Sequence, residues 1–279
     1  MTAAMAGFAL EDMFVKTAAG HMPVGQVLVL FGLLGTGVFS VLAWRRGEAL
    51  FHPAMLSRAM LLRAGFESGG RLFYTLAIAL TPLSNASAIM QATPLVVVAG
   101  AALFLGERVG WRRWLAIWVG FAGVLMILRP GMAGFDAASG LAVLGTLGFA
   151  GRDLATRVAP RVLSNAQLGI CGFSVLVPVG LILLAGSGGA TLPPPEGGAA
   201  LVLGAAFGLA AYAALTQAMR LGEVSVVTPF RYTRLLFGVG LGMIVLGERP
   251  DAMTWAGAAV ILLSGLYIMA RQRRRISEA

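Results

Sequence analysis

Four otherwise apolar stretches hold charged residues at helical spacing. Residues 55–80 contain Arg58, Arg63, Glu67 and Arg71; the last three are spaced i, i+4, i+8 and share one helix face. Residues 3–19 contain Glu11, Asp12 and Lys16, and residues 138–158 contain Arg152, Asp153 and Arg157, each Asp four residues before a base. Residues 224–246 add Arg231 and Arg234, three apart, with Tyr232 beside them. Tyr74, Gln91 and Tyr212 complete the candidate polar set. Such groups could be internal ion pairs that fix packing, or they could bind and gate a polar solute. Lys16, Arg63, Arg71, Arg152, Arg157, Arg231 and Arg234 are opposed by Glu11, Asp12, Glu67 and Asp153. The positive surplus suits a carboxylate-bearing ligand, for which arginine is the better fork. Enzyme chemistry lacks its parts, because no phosphate-binding glycine loop, nucleophile elbow or paired catalytic motif occurs. Cys171 is the only cysteine, and His21 and His52 lie near expected helix ends. No catalytic residue, metal site or cofactor is expected.

The segments that carry these groups follow from composition. Of 279 residues, 58% are hydrophobic and 12% charged, against about 25% charged in soluble domains. Lipid is the solvent that explains the deficit. Helices of about 20 apolar residues cross it, and spans are expected near 3–19, 23–44, 55–80, 84–105, 111–128, 138–158, 165–186, 198–220, 224–246 and 252–270. Glu11, Asp12 and Lys16 make the first of these unlike a cleaved leader. A charge at the centre of a span costs about 2.5–3.5 kcal/mol, so the charged faces must meet protein or water.

With the N-terminus inside, the inner loops hold Arg45, Arg46, Arg108, Arg112, Arg113, Arg161 and Arg220, and the C-terminal tail holds Arg271, Arg273, Arg274 and Arg275. The outer loops hold only Arg129 and Arg249. Arginine bias sets orientation, so both ends are expected to be cytoplasmic. The net charge of +9 belongs to these clusters and not to a nucleic-acid surface.

A shift of 141 residues superposes the chain on itself. Gly7-Phe8-Ala9 falls on Gly148-Phe149-Ala150, Asp12 on Asp153, Lys16 on Arg157 and Gln26 on Gln167. Leu105-Gly106-Glu107-Arg108 falls on Leu246-Gly247-Glu248-Arg249, and Trp114 on Trp255. Five spans per repeat, an odd number, invert the second half, which is a device for alternating access. Glu11 and Arg152 are counterparts of opposite sign and could face one another. Glu107, Arg108, Glu248 and Arg249 sit at helix ends, either as caps or as gate latches. Pro94, Pro178 and Pro229 are expected to kink their helices, and the stretches around Gly204, Gly208, Gly238 and Gly242 to allow close helix approach.

Residues 77–130, with Thr93-Pro94 and the first Leu-Gly-Glu-Arg, and residues 227–270, with Thr-Pro-Phe-Arg-Tyr and the second, resemble the drug/metabolite transporter superfamily in its EamA-type branch. The resemblance covers nearly the whole chain. It implies an all-α integral membrane fold of ten transmembrane helices, as two inverted five-helix repeats (1–135 and 136–279) around a central cavity. It also implies a bacterial inner-membrane carrier for a small polar metabolite, an amino acid or other carboxylate-bearing compound, with export the expected direction. A carrier for riboflavin or a cationic metabolite is the alternative, and a scaffold or membrane enzyme a more distant one. The expected partners are the small-molecule substrate and the lipid bilayer, with no nucleic acid; a monomer and a homodimer both stay open.

Overall fold

Proline and glycine decide where the helices end. The computed structural model describes residues 1–106, 109–129, 136–158, 160, 162–221 and 228–277. Glu107, Arg108 and the side chains of Arg157 and Pro229, all singled out above, lie outside the described residues. The elements are α1 (Thr2–Ala19), α2 (Val24–Arg45), α3 (Arg58–Leu80), α4 (Leu83–Met90), α5 (Thr93–Phe104), α6 (Trp111–Leu128), α7 (Ser139–Arg157), α8 (Asn165–Ser174), α9 (Leu176–Gly186), α10 (Pro195–Leu221), α11 (Thr233–Ile244) and α12 (Ala252–Ser277). Short 3-10 turns at Pro53–Leu56 and Thr228–Tyr232 precede α3 and α11. The fold is all-helical, with no strand among the described residues.

Two expected spans are broken rather than kinked. The 84–105 span divides into α4 and α5 around Gln91. Pro94 has no N–H for the Met90 carbonyl; the Thr93 hydroxyl donates to that oxygen instead, at 2.6 Å. The 165–186 span divides into α8 and α9 at Val175, next to Ser174, whose carbonyl lies four residues before Pro178 and finds no N–H there. Counted across the breaks, Leu83–Phe104 and Asn165–Gly186 join Val24–Arg45 and the first 21 residues of α10 as four segments, among the described residues, long and apolar enough to cross a membrane. α1, α3 and α7 carry the interior charges instead.

Exposure runs opposite to that of a water-soluble protein. Trp111 is 70% and Ile244 86% exposed, whereas Glu11 and Asp12 are each 1% exposed. Large apolar side chains on the outside and carboxylates within suit a hydrocarbon solvent, and the chain is a multi-pass membrane protein. α3 packs chiefly on α7, α1 on α10 and α11, α2 on α8 and α9, α6 on α12, and α4 on α11, with α7 also touching α4 and α5. Small residues permit the closest of these crossings. Gly145, Gly148 and Gly151 present a bare stripe of α7 to Tyr74, Gly70 and Phe66 of α3. Gly204 and Gly208 of α10 likewise receive Phe14 and Glu11 of α1.

Candidate functional site

α3 stands between α1 and α7, and its two inward charges point opposite ways. Toward α1, Arg71 Nη1 donates to Glu11 Oε1 at 2.5 Å. One residue along α1, Asp12 Oδ2 accepts from Arg234 Nη2 at 2.6 Å and from the Tyr74 hydroxyl at 3.1 Å. Aromatic faces back both cations: Arg71 lies 5.0 Å from the ring of Phe31 and Arg234 5.1 Å from that of Phe8. Toward α7, Glu67 Oε1 accepts from Arg152 Nη1 at 3.3 Å and its other oxygen lies 3.7 Å from Arg63. Arg152 also forks onto Asp153 Oδ1 at 2.8 and 3.0 Å, with Phe149 5.0 Å away, and Arg231 approaches Asp153 Oδ2 at 3.5 Å.

This geometry corrects two expectations. Arg63, Glu67 and Arg71 do not act as one ladder: Glu67 holds Arg63 across one turn, while Arg71 turns to Glu11. Nor do Glu11 and Arg152 pair, because α3 intervenes and supplies each with its own opposite charge. Of the seven expected bases, Lys16 is engaged outside the two clusters and the side chain of Arg157 lies outside the described residues; the guanidinium groups of Arg63, Arg71, Arg152, Arg231 and Arg234 surround Glu11, Asp12, Glu67 and Asp153. Yet pairing does not use every donor. Arg63 Nη1, Arg71 Nε and Arg234 Nε are buried and have no hydrogen-bond partner among the described residues, and neither has Glu11 Oε2.

Lys16 lies at the helix ends one turn further along α1. Its ammonium donates to the carbonyls of Ile78, at 2.8 Å, and Thr81, at 2.5 Å, where α3 stops. Glu248, 3.9 Å away, accepts from the backbone N–H of Leu83 at 2.6 Å and of Ser84 at 2.9 Å, where α4 begins. Glu248 is thus a cap, but on a helix of the other half. Gly247 has φ +66°, as Gly106 has +67°, a left-handed turn that glycine makes without strain. Arg249 is exposed beside it. In the adjoining loop Asp251 accepts from Thr254 N at 2.8 Å, capping α12, and pairs with Arg129. The hydrogen bond from Arg129 holds the Asp251 carboxyl down at about 2.

The other expected site residues go separate ways. Gln91 is buried at the α4–α5 break, with no partner for its Nε2. Tyr212 packs edge-on against Phe39 and Phe173. The ring of Tyr232 fills the space that a side chain on Gly265 of α12 would need, so this tyrosine is wedged into helix packing while Arg231 and Arg234 on either side reach the aspartates. Sequence reasoning counted Arg63 among the interior bases without assigning it to the site, and passed over Phe8 and Phe149. The two phenylalanines each lie four residues before an aspartate, at positions equivalent in the repeat, and that signal could have found them.

Comparison with known proteins places this arrangement. The family model described as the EamA-like transporter family matches residues 1–129 and 137–270. A riboflavin transporter of Rhizobium johnstonii is 33% identical over 225 residues, 79% of this chain and 71% of its own length. The pseudopaline exporter CntI of Pseudomonas aeruginosa is 28% identical over 261 residues, 92% of this chain and 90% of that protein. An S-adenosylmethionine uptake transporter of Rickettsia bellii is 25% identical over 223 residues, 79% of this chain and 74% of its own. One crystal structure, 19% identical, superposes with a TM-score of 0.64 over 98% of both chains and shares the fold. These named relatives are transporters and not enzymes. With nearly the whole of both halves matched, the chain belongs to the EamA-like transporter family and is a membrane transporter.

Proposed function

We propose that this transporter is a secondary carrier of a small carboxylate-bearing metabolite, working by alternating access of two inverted five-helix repeats, 1–135 and 136–279. The observation that carries the substrate class is the set of unpartnered donors: Arg63 Nη1, Arg71 Nε and Arg234 Nε are enclosed and unused. An unmet guanidinium N–H in a low-dielectric interior is costly, and a carboxylate oxygen is the acceptor that meets it best. Glu11, Asp12, Arg63, Glu67, Arg71, Tyr74, Arg152, Asp153, Arg231 and Arg234 are the residues we assign to the substrate path.

Support for the repeats comes from packing that survives exchange of the halves in the 141-residue register. The α3–α7 contact maps onto α10–α1, and α1–α11 onto α7–α5. Gly148 meets Gly70, and Gly7 meets Ala211, the same pair shifted. Gln26 grips the backbone of Thr191 in the opposite half, and its counterpart Gln167 grips the carbonyl of Ala49.

A riboflavin carrier is the second reading, favoured by the 33% identical relative and by the aromatic rings of Phe8, Phe31 and Phe149 beside the cations. Flux into proteoliposomes of labelled amino acids, organic acids and riboflavin separates the two. Carboxylate-dependent uptake, impaired by Arg71→Met and retained only in part by Arg71→Lys, supports the first. Uptake of riboflavin alone sinks it. We further place the protein in a bacterial inner membrane with both termini cytoplasmic; cysteines at 46 and 112 should label from inside and at 187 and 251 from outside. Labelling of 112 from outside overturns the topology.

A further inference from the structure

We infer that Lys16 and Glu248 form a clip that closes the outer end of the transport path. The inference rests on the alternating-access reading and names the contact that regulates it. Lys16 comes from α1 and Glu248 from the loop after α11, so the two belong to opposite halves of the chain. Both converge on one corner, Thr81-Pro82, where α3 stops and α4 starts.

Helix ends leave backbone groups without partners: carbonyls at the C-terminus and N–H groups at the N-terminus. Where such an end is packed against protein, little water reaches it to supply what is missing. Lys16 satisfies the Ile78 and Thr81 carbonyls, and Glu248 satisfies the Leu83 and Ser84 N–H groups. Each charge therefore sits at the helix end whose dipole favours it, a cation at a C-terminus and an anion at an N-terminus. The 3.9 Å approach of Lys16 to Glu248 joins the two caps. Gly242 makes the closure possible, because a methyl group there would lie 2.5 Å from Glu248 Oε2.

The Leu83 and Ser84 N–H groups thus depend on a side chain of the other half, and the Lys16–Glu248 approach also crosses between the halves, so both must be given up when the halves part at this end. They can be released only if water replaces the side chains, that is, when the outer end is open and wet. The clip is stable when the end is dry and dispensable when it is flooded, which is the behaviour required of a gate.

Ser87, buried on α4 one turn below Leu83 and facing Gly238 of α11, reports on the opening. A Ser87→Cys protein with Cys171→Ser is labelled with a membrane-impermeant thiol reagent, applied to each face of the membrane separately. Lys16→Met and Glu248→Gln should each speed labelling from the face that bears the clip by on the order of tenfold, the loss of one charge-assisted hydrogen bond, and combining them should add little. Labelling from that face at the parent rate in both variants, with thermal stability alone reduced, overturns the gate and leaves two caps. The double reversal Lys16→Glu/Glu248→Lys should label as fast as the single variants, because each charge would then oppose its helix end. Restoration of slow labelling by the reversal refutes the dipole-matched clip in favour of a plain ion pair. The readout needs no substrate, so its failure is distinct from absence of flux in proteoliposomes.

Discussion

Replacing Arg71 by Met, Glu11 by Gln, and both together tests whether the interior charges are held as pairs across helices. Arg71 Nη1 and Glu11 Oε1 are 2.5 Å apart, with side-chain exposures of 15% and 1%. A pair so enclosed gains little net stability against an apolar replacement, because desolvation offsets the attraction. Removing one member, however, strands the other, at a cost of about 3–5 kcal/mol. Arg71→Met should therefore unfold in detergent some 3 kcal/mol more easily than the parent. Adding Glu11→Gln should return most of that loss, giving a coupling energy of about 2 kcal/mol or more, within the range seen for residues in contact. The assay is reversible denaturant unfolding in mixed micelles, followed by tryptophan fluorescence. Combining Arg71→Met with Glu67→Gln is the control, since Glu67 holds Arg63 and Arg152 instead, and that double variant should gain no rescue. Additivity of Arg71→Met and Glu11→Gln to within about 0.5 kcal/mol would refute the pairing. Rescue by Glu67→Gln instead would restore the single-ladder arrangement.

Two further outcomes follow from local geometry. Gly70 and Gly69 are neighbours on α3 with opposite surroundings: a methyl on Gly70 would lie 2.9 Å from the Phe149 backbone nitrogen, while Gly69 has nothing within 4 Å. Gly70→Ala should cost about 1–3 kcal/mol through overpacking, and Gly69→Ala should be neutral or stabilising by about 0.5 kcal/mol; equal melting temperatures for the two variants would contradict the α3–α7 contact. Asp251, held at about 2 by the Arg129 hydrogen bond, should stabilise the protein above the ordinary carboxylate range of about 4 and lose that effect as pH falls toward 2. Its exposure limits the effect to about 1 kcal/mol or less. The difference in melting temperature between the parent and Asp251→Asn should narrow from pH 5 to pH 2, and a difference that widens on acidification would reverse the assignment.

The helices were legible in the sequence because hydrophobic length is a local property: α6 occupies the expected 111–128 span, and α2 and α7 differ from theirs by a residue or so. The identities of the buried charges were legible for the same reason, since a carboxylate such as Glu11 in an apolar run must turn inward. Their partners were not. Glu11 and Arg71 are 60 residues apart and Asp12 and Arg234 are 222 apart, and nothing local says that α3 separates α1 from α7. Spacing on α3 placed Arg63, Glu67 and Arg71 on one helix face. A neighbour at i+4 is always available, but a charge on another helix at 2.5 Å is closer than the 3.7 Å that the i,i+4 pair of Arg63 and Glu67 reaches. Glu248 shows the same limit. Its place after a turn glycine marked it as a cap, while the capped helix lies 164 residues back in the other half.

Pairing across helices also constrains how such a site could move. Each of the carboxylates Glu11, Asp12 and Glu67 holds a base from another helix, so any rocking of α1 or α7 against α3 and α11 strains several pairs at once. Breaking one outright costs about 3–5 kcal/mol. A substrate bound at millimolar affinity supplies about 4 kcal/mol, enough to offset the opening of a single pair and far short of three. An alternating cycle is then feasible only if the pairs exchange partners, with a substrate carboxylate entering as one base leaves its own. The unpartnered Arg71 Nε and Arg234 Nε, on bases already bound to Glu11 and Asp12, are the positions from which such an exchange would begin.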